Sequence, residues 1–319
     1  MYYAKVIVNP RSRGGATGKT WPIINRLLRN TGLPFDYEFI QAPEHGIEIS
    51  KEAVEKGYNL VIAVGGDGTI NEVVNGLVDQ NGKGRATLGI IAAGTQNDIA
   101  RMLCIPRDYM RACQLFKNFD TVKIDIGAVE YTLHNTIRRR YYINTAGIGF
   151  VSDVIEGSMP HTRLKVIGGG IPYALGVIPK AFDYQNKDVL VCIDGEKREE
   201  RNFSIVVNNG RYLGGGRAFP TATPYDGLLD VAIIGNISKM EALLNFPMFF
   251  TGTYYDPHKI KVQKAKNVIV DSPQRLPIQL DGEMVGQTPA VFRIIPSTLE
   301  IASRGIHLQT KSKGQRNRG

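Results

Sequence analysis

Three short segments bring acids and glycines together in patterns that could do chemistry. In VIAVGGDGTINEVVNGL, residues 61–77, an apolar run enters Gly65, Gly66, Asp67, Gly68 and Thr69, and a helical pattern leaves it. Glycines at a strand end let backbone amides approach an anion without Cβ interference, and the first N–H groups of the next helix add donors and a positive dipole end, so a phosphate fits there. Asp67 would repel a bare phosphate, which calls for Mg²⁺ or a reacting hydroxyl proton between carboxylate and nucleotide. The plainer alternative is a tight turn with Asp67 or Thr69 capping the helix. IIAAGTQNDIAR, residues 90–101, repeats the design: Gly94 and Thr95 at a strand end, Asn97 and Asp98 at a helix start, and Arg101 one turn on, where its guanidinium could grip a phosphate. IQLDGE, residues 278–283, places Asp281 and Glu283 around a glycine, suited to a proton acceptor with a hydrogen-bonding or metal partner, or equally to a β-turn. Asp226-Gly227, ahead of LLDV, reads either as a turn or as a cation site.

Two familiar nucleotide motifs are absent. Gly18-Lys19-Thr20 resembles the end of a P-loop, but the required earlier glycine position holds Arg13, and Gly14 is one residue too close. No G-x-G-x-x-G follows the first strand either, which disfavours a Rossmann dinucleotide site. Arg11, Arg13 and Lys19 could still surround phosphates, or be solvated loop charges.

The elements that must position these residues follow from hydrophobic spacing. Strands are expected at 4–8, 34–42, 60–64 and 87–92, alternating with helices at 19–29, 46–56, 70–78 and 99–103. Such alternation implies a doubly wound parallel sheet, in which ligands bind outside the carboxyl ends of the strands. Beyond about residue 122 short β-rich runs dominate, with an Asp194-Gly195 hairpin signal, giving a mostly antiparallel sandwich or barrel. The expected organisation is therefore α/β: a nucleotide-binding domain over 1–121, completed by a returning strand within 298–310, a β-rich second domain over 122–297, and a flexible basic tail at 311–319.

The chain has 319 residues, 43% hydrophobic and 22% charged, which excludes a disordered or collagen-like polymer. A net charge of +9 favours an anionic partner: phosphorylated small molecules, anionic lipid or nucleic acid. Nucleic acid rests on charge alone, and Arg138-Arg139-Arg140 reads more simply as an exposed strand edge, so no nucleic-acid partner is expected. Cys104, Cys113 and Cys192 form no metal or redox spacing and read as reduced and structural. Neither a secretory signal nor an apolar run long enough to span a bilayer is visible, so the expected location is cytoplasmic, with membrane contact only peripheral.

GGDGT, GTQNDIAR, DGLLDV and LDGE, in that order, resemble the soluble bacterial diacylglycerol kinases and related lipid kinases, whose catalytic domain is shared with sphingosine and ceramide kinases. The resemblance runs from the NPRSRGG loop to LDGE and so covers nearly the whole chain. It implies an NAD-kinase- or phosphofructokinase-like nucleotide domain, a β-sandwich lipid domain and an active site between them. It implies ATP and Mg²⁺ as cofactors, with Asn9, Arg13, residues 65–69, Gly94, Thr95 and Asn97 holding the nucleotide. Asp281 is then similar to the general base acting on a lipid hydroxyl, with Glu283 beside it, and Asp67, Arg101 and Lys165 join the catalytic set. Asp226, the Leu228 carbonyl and Asp125 resemble a structural Mg²⁺ site, although Thr221 stands where some members carry another acid. Diacylglycerol is the leading acceptor; ceramide, phosphatidylglycerol, a soluble metabolite as in NAD kinases, and a non-catalytic lipid-binding homologue are the alternatives, and a homodimer is left open. The apolar segment 240–255, rich in leucine and phenylalanine, could line an acyl pocket, touch anionic membrane, or pack in a core.

Overall fold

The computed structural model describes residues 2–158, 184–238, 240–242, 251–253 and 259–304. Three largely buried runs and one mostly exposed edge run form β1 (Ala4–Val8), β3 (Leu60–Gly65), β4 (Thr87–Ala92) and β2 (Phe35–Phe39), all parallel, in the order β2-β1-β3-β4. Between and after them lie α1 (Ala16–Arg29), α2 (His45–Glu55), α3 (Asp67–Leu77), α4 (Asp98–Met102) and α5 (Tyr109–Leu115). The two-residue period of a strand explains why both faces of this sheet need cover. Leu60, Ile62 and Val64 pack with Trp21, Ile24 and Leu28 of α1 and Cys113 of α5, while Val61 and Ala63 point to the opposite core with Ile49, Ile70 and Val73 of α2 and α3.

Helix α1 begins three residues before the expected start. Arg13, Gly14 and Gly15 hold positive φ, and the helix forms as soon as the backbone leaves that left-handed stretch. Sequence spacing missed α5, a seven-residue helix whose Asp108 side chain accepts the Arg111 N–H at 2.9 Å. It also missed α6 (Phe150–Ser158), which continues a run that reads as strand.

The second half contributes β5 (Asp120–Leu133), β6 (Thr136–Tyr142), β7 (Thr145–Gly149), β8 (Lys187–Ile193), β9 (Glu196–Asn202), β10 (Ser204–Asn208), β11 (Leu229–Ile234), β12 (Ile260–Ala265), β13 (Asn267–Asp271), β14 (Pro277–Leu280) and β15 (Glu283–Ser303). Antiparallel layers β12-β11-β10-β7-β14 and β9-β8-β13-β15-β5-β6 enclose one core, where Ile205, Val207, Val231 and Ile278 meet Val189, Val191, Val268 and Phe292. Asp194 and Gly195, at φ 47° and 97°, make the two-residue turn between β8 and β9. Arg139 and Arg140 lie on β6 and pair with Glu130 and Glu44, so these charges are used within the fold.

Strand β15 welds the halves: it pairs with β14 at its start, with β13 in its middle and with β5 for most of its length, and Ile301 lies beside Leu88 of β4. The expected boundary at residue 121 thus falls inside β5, and the expected return at 298 falls inside the continuous β15. All three cysteines are free thiols. No helix among the described residues is long and apolar enough to cross a membrane. Lys165, most of the apolar segment 240–255 and the tail 311–319 lie outside the described residues.

Candidate active site

The carboxyl ends of β3 and β4 deliver the two glycine loops side by side, because the strands pair in register from Leu60↔Thr87 to Gly65↔Ala92. Gly66 and Gly94 then touch backbone to backbone, and a Cβ added to Gly94 would overlap the Gly66 Cα. The N-terminal loop is laced onto both: the Asn9 Nδ2 donates to Thr69 Oγ1 at 3.0 Å and the Thr17 hydroxyl to the Ala93 carbonyl at 2.9 Å. Arg13 and Thr95 are exposed at the rim, and Gly68 lies at the start of α3, where the first backbone N–H groups have no intrahelical acceptor.

Asp67 does not cap its own helix. Its carboxylate reaches across to α4 and accepts the backbone N–H groups of Asp98 at 3.0 Å and Ile99 at 2.9 Å. Loss of water around the carboxyl, followed by repulsion from Asp98, pushes its pKa up to about 7 against the pull of those two donors. Asn97, at φ 56°, closes the second loop on itself: its Oδ1 accepts the Gly94 N–H and its Nδ2 donates to the Gly94 carbonyl, both at 2.9 Å. Thus the Gly94 amide is already bonded within its loop.

Asp98 and Arg101 turn toward the second half. Asp98 accepts the Gly215 N–H at 2.8 Å and an Arg101 N–H at 3.0 Å, while the same Arg101 nitrogen donates to the Gly215 carbonyl at 2.8 Å. The guanidinium also lies over the Tyr212 ring, 4.3 Å from its centroid. Burial raises the Asp98 pKa despite these partners. Arg101 therefore joins α4 to the loop after β10.

The third segment closes the crevice from the sandwich side. Asp281, at φ 48°, is buried in the turn between β14 and β15. Its Oδ1 accepts the N–H groups of Asn144 and Thr145 at 3.0 and 2.9 Å, and its Oδ2 accepts the Ile143 N–H at 3.0 Å and the Asn71 Nδ2 at 2.9 Å. Burial raises the Asp281 pKa, and the four donors oppose that rise. Asn71 belongs to α3, one turn beyond Asp67, and also donates to the Tyr141 carbonyl at 3.1 Å. Glu283 packs against Gly68, where a Cβ would strike its carboxyl group. Asp67, Asp281 and Glu283 therefore converge on the start of α3, with Asn71 between them. Sequence reading missed Asn71, Tyr212 and Gly215; only Asn71 left a signal, since four residues after Asp67 lies on the same helix face.

The residues that resemble a structural Mg²⁺ site sit elsewhere, at the start of β11. Asp125 is buried, and its two oxygens accept the N–H groups of Gly227 at 2.7 Å and Ser297 at 2.8 Å. Asp226 accepts the Leu228 N–H at 3.1 Å and the Lys264 ammonium at 2.8 Å. An ammonium and N–H donors point at the oxygens that a divalent ion would need, so the residues as arranged do not fit Mg²⁺. Among the described residues no group of three or more His, Cys, Asp or Glu side chains is placed to hold a metal ion.

Comparison with known proteins agrees with this architecture. Residues 3–129 match the diacylglycerol kinase catalytic domain, and residues 157–303 match the YegS C-terminal NAD kinase β-sandwich-like domain. A diacylglycerol kinase of Bacillus subtilis is 30% identical over 294 residues, covering 92% of this chain and 93% of that protein. A probable lipid kinase YegS-like protein of Chromohalobacter salexigens is 30% identical over 302 residues, covering 90% and 93%. The crystal structure of a diacylglycerol kinase from Bacillus anthracis superposes with a TM-score of 0.71 at 21% identity, covering 95% of this chain and 97% of that one, and yeast NADH kinase with 0.51 at 11% identity; both likenesses concern the fold. With both domain types in sequence and relatives aligned along most of its length, the chain belongs to the diacylglycerol kinase family and is a lipid kinase.

Proposed function

We propose that the chain transfers the γ-phosphoryl group of ATP, bound as its Mg²⁺ complex, to the free hydroxyl of diacylglycerol, giving phosphatidic acid and ADP. The observation that carries this reading is the contact between Asn71 and Asp281: it sets an acid of the sandwich half against the helix that opens at the glycine loop. Residues 1–121 with the end of β15 serve as the nucleotide unit, and residues 122–297 as the lipid unit.

Phosphoryl transfer is mostly positioning and charge neutralisation. The N–H groups that open α3, with Asn9 and Thr69, receive the triphosphate at the Gly66–Gly94 contact, while Arg13 and Thr95 flank it at the rim. Asp281 orients the acceptor hydroxyl in line and takes its proton. Three of its four donors are fixed backbone N–H groups, so the Asn71 side chain is the one that swings aside when the hydroxyl arrives. Burial that raises the Asp281 pKa makes its anion a stronger base. Glu283 stands beside it, and the pairs of Asp67 with α4 and of Arg101 with Gly215 keep the two walls together. The excess of Lys and Arg draws the protein to an anionic membrane surface, where its substrate resides.

The test is radiolabelled ATP with diacylglycerol, ceramide, phosphatidylglycerol and NAD in mixed micelles, with ATP hydrolysis alone as control. Label in phosphatidic acid supports the proposal; transfer only to another lipid changes the acceptor, transfer to NAD moves the chain to metabolite chemistry, and no transfer at all removes the reading. Vesicle flotation should show binding to anionic lipid that weakens with salt.

A further inference from the structure

Lys264, on β12, faces Asp230 directly across the β11–β12 pair, and its ammonium lies 2.8 Å from a carboxylate oxygen of both Asp230 and Asp226. The Asp230 side chain is 2% exposed, so an unpaired charge there would be costly. We infer that the Lys264 ammonium replaces, within this chain, the divalent cation that the Asp226–Leu228 turn resembles a site for. An ammonium has three donors and satisfies two carboxylates at hydrogen-bond distance, whereas Mg²⁺ needs oxygens at about 2.0–2.1 Å and near-octahedral geometry. The two cations exclude each other, because they would sit side by side between the same oxygens. Thr221 contributes a hydroxyl at 3.5 Å from Asp230, a neutral group where a further acid would add a third carboxylate to the two that already share one ammonium.

The built-in cation has a structural task. It fixes Asp226, whose turn is tied through the Gly227 N–H to Asp125, and Asp125 in turn accepts the Ser297 N–H at the bend of β15. Asp230 also accepts, through its backbone carbonyl, the Asn208 Nδ2 at 3.4 Å, and Asn208 accepts the Thr145 hydroxyl at 2.6 Å beside the Thr145 N–H that holds Asp281. The turn is thereby anchored without a metal, whatever the acceptor substrate.

Thermal unfolding of the nucleotide-free protein in EDTA and in Mg²⁺, with equilibrium dialysis against Mn²⁺, tests this. The parent protein should show the same Tm in both solutions and bind no stoichiometric Mn²⁺. Lys264→Met should lower the Tm in EDTA by about 2–4 °C, Mg²⁺ should recover that loss, and Asp226→Asn added to Lys264→Met should abolish the recovery. One equivalent of Mn²⁺ on the parent, lost on Asp226→Asn, overturns the inference and needs no lysine variant to fold. A Lys264→Met protein whose Tm is unchanged, or falls without recovery by Mg²⁺, overturns it as well.

Discussion

The Asn71 Nδ2 stands 2.9 Å from the Asp281 Oδ2, joining residues 210 positions apart in the chain. The bond favours the ionised carboxylate, so it holds the Asp281 pKa below the value that burial alone would set. Asn71→Ala should let that pKa rise, and the acid limb of the kcat/KM profile should move to higher pH. A change in Tm with an unmoved pH profile would show that Asn71 only packs. The same variant should lose about 1.5–3 kcal/mol of stability, since a hydrogen bond to a charged group is removed.

Asp281→Asn should lower kcat by about 10²–10⁴-fold, the usual contribution of a positioned proton acceptor. Alanine is the poorer probe, because it strands four N–H donors and costs more than about 3 kcal/mol. Calorimetry must show the Asn protein folded at the assay temperature; turnover within tenfold of the parent would then exclude Asp281 as the base.

Asp67 carries a pH signature of its own. Its folded pKa of about 7 lies above the unfolded carboxylate value of about 3.9, so the folded state binds the proton more tightly. Its contribution to stability is complete below the unfolded pKa and is lost as pH rises through about 7. Between about pH 4 and 7 the nucleotide-free parent should lose stability at up to about 1.4 kcal/mol per pH unit from this group, levelling off above pH 7, and Asp67→Asn should flatten that slope. Equal slopes for both proteins in denaturant titrations would remove the assignment.

Gly94→Ala should distort both loops, because its Cβ meets the Gly66 backbone, which cannot turn aside as a side chain would, and the Asn97 amide that closes the second loop. ATP binding by calorimetry should weaken at least about tenfold, about 1.4 kcal/mol. Gly195→Ala in the β8–β9 turn, where a Cβ meets nothing within 4 Å but φ is +97°, should strain that turn alone, leave ATP affinity unchanged and serve as the control.

Strands β1, β3 and β4 were readable from residues 4–8, 60–64 and 87–92 because buried parallel strands are mostly apolar and these are closed by loop-forming residues. The short helix α5 and the strand-like start of α6 were not, since a few residues do not establish a helical period. Spacing alone allows Asp67 to cap its own helix; the fold gives its carboxylate to the α4 backbone and not to α3. Spacing lets the Arg101 guanidinium reach a phosphate; in the fold one of its nitrogens is committed to Asp98 and Gly215.

By itself, the sequence determined which residue types stand at strand ends and in what order, because glycine conformational freedom and apolar periodicity are local properties written in neighbouring residues. Tertiary structure decided which of them meet: β15 carries Glu283 to the start of α3, Asp281 finds the 143–145 amides, and Lys264 enters between Asp226 and Asp230. Those partners are distant in the chain, and hydrogen bonds and charge pairs act over only a few ångströms of space, so no local pattern encodes them.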